Sequence, residues 1–99
     1  MERGGCIYIM TDINRGTLYI GVTSDLLFRV REHRTKAYQK SFTSRYNLTV
    51  CVYYEFYSSI EEAINREKEL KGWRREKKNK LINESNPSWN DLWQDIENW

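Results

Sequence analysis

Five side chains in this sequence have, between them, the chemistry to cut a phosphodiester. Tyr8 and Tyr19 are phenols on two apolar, strand-like runs inside "CIYIMTDINRGTLYIG", and Arg29 and His33 follow four residues apart. Glu67 is an acid standing where the pattern asks for a core residue. Singly, each has an ordinary reading: tyrosine suits half-buried sheets, arginine a solvated helix face, and a lone histidine a satisfied structural position. Histidine is also a ready proton carrier near neutral pH. A phenol pair, a guanidinium, an imidazole and a misplaced carboxylate in one small domain are the parts that phosphodiester hydrolysis requires.

Glu67 is the residue that does not fit a bland core. On a helix from Ile60, at about 100° per residue, the apolar stripe is Ile60, Ala63, Ile64 and Leu70, and Glu67 falls near its centre. An unpaired buried charge is costly. Four solutions follow: protonation, pairing with a cation such as Arg29 or Arg66, metal binding, or a stripe that opens into a cleft. A Mg²⁺ ion, which takes one or two carboxylates and keeps most of its waters, is the metal such a lone acid suits.

The elements that must position these groups are legible along the chain. Two alternating runs flank "DINRG", which predicts a β-hairpin with Tyr8 and Tyr19 on opposite arms. Thr23, Ser24 and Asp25 offer N-caps for a helix through "LLFRVREHRTKA", with Leu26, Leu27, Val30 and Ala37 as its stripe and Arg29 and His33 along one border. A polar connection leads to "LTVCVYYEFY", whose apolar character on both faces predicts a central strand. "SSIEEAINREKELKGW" opens with a capping box, and a further helix over "RREKKNKLI" stops near Asn86-Pro87. The expected fold is α+β: a small three-stranded antiparallel sheet flanked by helices in the order β-β-α-β-α-α.

With 99 residues, 39% hydrophobic and 14% aromatic, the composition predicts one compact domain rather than a disordered chain. No apolar run approaches a membrane span or a signal-peptide core, so a cytoplasmic protein without membrane contact is expected. Cys6 and Cys51, far apart inside strand-like runs, read as reduced core thiols. Residues 88–99 hold three acids and no base, leaving 16 bases against 11 acids, or +5, in residues 1–87. A basic body permits nucleic-acid binding without demanding it.

The order of these residues resembles the GIY-YIG endonuclease superfamily. It is most similar to the small stand-alone bacterial group related to the nuclease domain of the excision-repair incision subunit. "GCIYIM" matches the first motif, "LYIGVTSDLLFRVREH" the second with its arginine helix, "EEAINREKELKGWRREKK" the glutamate helix and "NPSW" the end of the stand-alone group. One departure is visible: Cys6 stands where the family name has glycine, directly after Gly5. The resemblance implies Tyr8 and Tyr19 as paired active-site tyrosines, Arg29 as the phosphate-contacting arginine, His33 as the helix histidine and Glu67 as the metal ligand. It implies a nuclease domain over residues 4–87, with the acidic, tryptophan-rich segment 88–99 packing on the same domain. The other reading of that segment is a partner-docking tail. Asn86 matches a late polar residue only loosely.

The activity implied is that of a DNA endonuclease with a single Mg²⁺ or Mn²⁺ site, no small-molecule cofactor, and a role in repair or recombination. Arg74, Arg75, Lys77, Lys78 and Lys80 form a candidate backbone-binding patch, with Trp73 or Tyr46 available to stack on an unpaired base. No added recognition domain is present in the sequence, which favours single-stranded, nicked or branched DNA over a long duplex site. The competing readings are a nucleic-acid-binding module that keeps the fold without catalysis and an interaction protein using its tail. The sequence does not set an oligomeric state.

Overall fold

The computed structural model describes residues 4–99, which form a three-stranded antiparallel sheet with helices on both faces. The elements are β1 (Gly5–Thr11), β2 (Leu18–Thr23), α1 (Leu26–Thr35), α2 (Phe42–Arg45), β3 (Val50–Tyr57), α3 (Ile60–Lys71), α4 (Arg75–Ser85) and α5 (Trp93–Glu97). The predicted α+β class and the main element order hold. The structure adds two short helices, α2 within the polar connection and α5 in the tail.

Side chains alternate across the sheet and split the core in two. Cys6, Tyr8 and Met10 of β1 pack with Leu26 and Val30 of α1 and with Ile96 of α5. Ile7 and Ile9 point the other way, against Ala63 and Leu70 of α3 and Ile82 of α4. Being covered on both faces, β1 is buried along its whole length.

The strand order is β2-β1-β3, so β3 is an edge strand and not the central strand its composition predicted. Its apolar faces are explained by helices on both sides and by a tail that covers the edge. The Leu92 N–H donates to the Cys51 carbonyl at 2.8 Å. The Cys51 N–H in turn donates to Asp91 at 3.3 Å. Between Ile9 and Met10 the register slips, leaving Val52 as an extra residue. Its carbonyl accepts from buried Asn86 at 3.1 Å, so Asn86 ties the bulge to the turn that starts the tail. Cys6 and Cys51 are buried free thiols, each pushed up to about 12 by burial.

Local signals explain the helix starts. Asp25 caps α1 through the Phe28 N–H, and Ser59 caps α3 through the Glu62 N–H, each at 3.2 Å. Helix α1 ends at Thr35, with Lys36 in the left-handed region as its cap, so Ala37 lies beyond the helix and is exposed. Close approach of β1 to α3 depends on Gly5. A Cβ there would come within 2.8 Å of the Ile60 Cα and 2.9 Å of the Ala63 Cβ. Cys6 occupies the next position, pointing into the opposite cluster, where a side chain is accommodated.

Candidate active site

The hairpin register pairs Tyr8 with Gly21 and Met10 with Tyr19, which puts both phenols on the α1 face of the sheet. Their ring centroids are 6.3 Å apart. The His33 ring completes a triangle, 5.5 Å from Tyr8 and 5.7 Å from Tyr19. His33 is buried, not at the border of the α1 stripe where helical spacing placed it.

The Tyr8 hydroxyl lies 2.9 Å from His33 Nε2, and Arg29 Nε–H donates to it at 3.4 Å. His33 Nδ1 lies 2.9 Å from the Thr43 hydroxyl, itself 3.3 Å from the Ser41 hydroxyl. One proton arrangement satisfies every group. Arg29 donates to Tyr8, Tyr8 donates to Nε2, and the Nδ1–H donates to Thr43. Tyr8 is 1% exposed, and burial pushes its phenol well above the ordinary value, offset in part by the Arg29 hydrogen bond. Burial, with the Arg29 cation next, pushes His33 down to about 4. The pair at neutral pH is therefore a protonated phenol facing a neutral imidazole.

That imidazole makes a stability prediction. Its folded value near 4 lies below the ordinary 6.5, so the unfolded chain binds the extra proton first as pH falls. The contribution is complete above about pH 6.5 and is lost progressively towards pH 4, roughly 3 kcal/mol in all. Urea unfolding at pH 7.5 and 4.5 should show this loss in wild type, beyond the carboxylate effects it shares with His33→Asn. Equal losses in both proteins would rule it out.

A cleft of about 100 Å³, room for several waters, opens above these groups, with Tyr19, Arg29, Glu32, His33 and Thr43 among its walls. The Tyr8 hydroxyl is buried behind this wall, in contact with two residues that line it, His33 and Arg29. Arg29 Nη1 is paired with Glu32 at 3.1 Å. Glu32 and Thr43 carried no signal in the sequence reading. Ser41, the N-cap of α2, marks that a helical turn begins there, but nothing local reveals that Thr43 meets His33.

Glu67 stands apart from this cluster. It belongs to α3, which covers the opposite face against β1 and β2, and it pairs with Lys71 at 3.1 Å rather than with Arg29 or Arg66. Arg66 serves Glu55, which also accepts from Tyr53 and, at 2.6 Å, from Tyr57. The Glu67 side chain is 16% exposed and that of Lys71 52%, so the pair is a half-solvated helix contact worth about 0.3–0.5 kcal/mol. Such a weak partner leaves the carboxylate available to a hard cation. Among the described residues no three His, Cys, Asp or Glu side chains cluster around a common point. A single oxygen donor fits Mg²⁺ or Mn²⁺ held mainly by water and phosphate.

The basic run on α4 also lies on the far face. Arg74 is the N-cap residue, and Arg75 donates to the Gly16 carbonyl at 2.8 Å and the Arg15 carbonyl at 2.9 Å, clasping the hairpin turn. Lys77 sits 4.1 Å from the Trp73 ring, Lys78 is half-buried and Lys80 exposed. The cleft face has its own cations instead, Arg31, Lys36, Lys40 and Arg45, all exposed.

The sheet carries two facing tyrosines beside a helix-borne arginine and histidine, and the sequence comparison puts the chain among nuclease-type domains. The family model of the GIY-YIG catalytic domain matches residues 4–82, and the chain belongs to that family. It is 35% identical over 78 residues to a UPF0213 protein of Haloquadratum walsbyi, covering 79% of this chain and 85% of that protein. A UPF0213 protein of Staphylococcus aureus is 36% identical over 69 residues, covering 70% and 83%. No solved structure matches significantly. Among the described residues no helix is long and apolar enough to cross a membrane.

Proposed function

We propose that this chain is a divalent-metal-dependent endonuclease that hydrolyses DNA phosphodiester bonds in the cytoplasm, acting on single-stranded or branched DNA in repair or recombination. The observation that carries the reading is the hydrogen bond from buried Tyr8 to His33, which lines a cleft together with Arg29. A phenol held above its ordinary pKa is a poor base alone. With its own proton directed at a neutral imidazole, it takes a proton from water while passing one on, so no free phenolate is needed.

Arg29, a third exposed, exchanges its Glu32 partner for the non-bridging phosphate oxygens, a task suited to its forked donors. Tyr19 packs beside both Tyr8 and His33 and fixes the space above them. A Mg²⁺ or Mn²⁺ ion held by Glu67 would neutralise charge on the phosphate and the leaving 3′ oxygen. Tyr8 and Glu67 stand on opposite faces of the sheet, and β2 is the edge strand beside them. DNA lying along that edge would meet Arg29, with Tyr8 behind it, on one side and Glu67 on the other.

The test is cleavage of labelled single-stranded, duplex, nicked and branched DNA with Mg²⁺ or Mn²⁺. Glu67→Gln should lower metal-dependent cleavage by at least about tenfold while DNA binding in chelator stays unchanged. Binding without cutting on every substrate and metal would make the chain a nucleic-acid-binding module instead. Unchanged cleavage by the variant would remove Glu67 from the site.

A further inference from the structure

Rings continue outward from the site. The Tyr19 ring lies 6.4 Å from Phe42 at 30°, and Phe42 lies 4.6 Å from Tyr46 at 38°. Tyr8 at the inner end is sealed, while Phe42 and Tyr46 at the outer end are 50% and 52% exposed. These two large aromatics sit, with exposed Tyr38, in the mainly polar run 36–47. Exposed rings grouped in this way mark a binding surface.

The charge around them says what binds. Residues 29–47 hold six Lys or Arg against one acid, although the whole chain is only +2. Protein interfaces exclude charge from their centres. Here Lys36, Lys40 and Arg45 interleave with the rings, the pattern of a groove that tracks phosphates while bases stack on aromatics. The alternative stacking residue, Trp73, is half-buried against the far core, with Arg66 at 5.2 Å and Lys77 at 4.1 Å from its ring. Its faces are already engaged, on the side of the sheet away from the cleft.

We infer that Phe42 and Tyr46 form a stacking platform for one unpaired nucleobase of the strand whose phosphate meets Arg29. This rests on the reading of the cleft as a nucleic-acid site. Only a base without a stacked neighbour offers a free face, so the platform selects single-stranded or splayed DNA over intact duplex.

The test is fluorescence anisotropy in chelator, which separates binding from cleavage, using a short labelled single strand, the same strand with abasic spacers, and a blunt duplex. Tyr46→Ala should weaken single-strand binding by roughly 5- to 100-fold, and Tyr46→Trp should keep it. Both variants should bind the duplex as wild type does, and the abasic strand should bind wild type and Tyr46→Ala equally. Undiminished single-strand binding by Tyr46→Ala, or an equal loss on duplex, would overturn the platform. So would a Tyr46→Ala protein that binds normally but sediments at lower mass, which would give the patch to a second copy of the chain. A wild type that shows the full stacking signature but never cuts would sink the catalytic reading and leave the platform standing. Cleavage with unaltered Tyr46→Ala binding would do the reverse.

Discussion

Tyr8→Phe is expected to cut DNA about 10²- to 10⁴-fold more slowly than wild type, the range over which general acid–base groups act. The change removes one oxygen and keeps the ring that fills the core between α1 and the sheet. The lost oxygen, buried just behind the cleft wall, bridges Arg29 and His33 at 3.4 and 2.9 Å. Without it, water bound there has no acceptor with an onward path to the imidazole. The fold should weaken modestly, by about 1–3 kcal/mol, because His33 Nε2 is left buried without its partner. Single-turnover cleavage at saturating protein, with a urea midpoint on the same preparation, separates the two effects. Tyr19→Phe provides the comparison: Tyr19 lines the cleft, and its hydroxyl takes no part in the Tyr8–His33–Thr43 chain. Its cleavage rate should fall less. A Tyr8→Phe protein that matches wild type would take the phenol out of proton transfer.

The parts of this molecule legible in the sequence are those fixed by neighbours in the chain. The hairpin follows from two alternating runs and a turn rich in Asp, Asn and Gly, and the helix starts follow from Asp25 and Ser59. The Glu67 anomaly was visible for the same reason, since 3.6-residue periodicity needs only one helix. What it faces was not visible. Lys71 lies within reach on the same helix, whereas Arg66 is drawn to Glu55 on β3, a choice made by tertiary packing.

The misreading of β3 has the same origin. Apolar residues on both faces say that a strand is covered, not what covers it, and here Leu92, Asp91 and Asn86 of the last segments close its edge. His33 likewise sits at a stripe border on a helical wheel. It is buried by distant partners, the Tyr8 and Tyr19 rings on the hairpin and Thr43 ten residues further on. Sheet faces were the deeper limit. Nothing in the spacing of Tyr8 and Glu67 reveals that they occupy opposite sides of the sheet.

Gly21→Ala is expected to lower cleavage by about 10²-fold although it adds one methyl group and touches no substrate. Gly21 pairs with Tyr8 across the hairpin, and the phenol ring lies over it. A Cβ at Gly21 would stand 2.4 Å from both the Tyr8 Cζ and hydroxyl oxygen, about 1 Å inside ordinary contact. No described glycine has a positive φ, so the requirement is space and not backbone freedom. The ring packs in one buried cluster with Met10, Leu26 and Val30, so relieving the clash shifts the ring and takes its hydroxyl off His33 and Arg29. A displacement near 1 Å at a reacting group is enough for a loss of this size. Overpacking should also cost about 1–3 kcal/mol of stability. A double-mutant cycle isolates the cause, because Gly21→Ala should cost less when Tyr8→Leu has already removed the ring it strikes. The coupling should amount to about 0.5–3 kcal/mol. Strict additivity of the two stability losses would place the damage in β2 itself and detach Gly21 from the site.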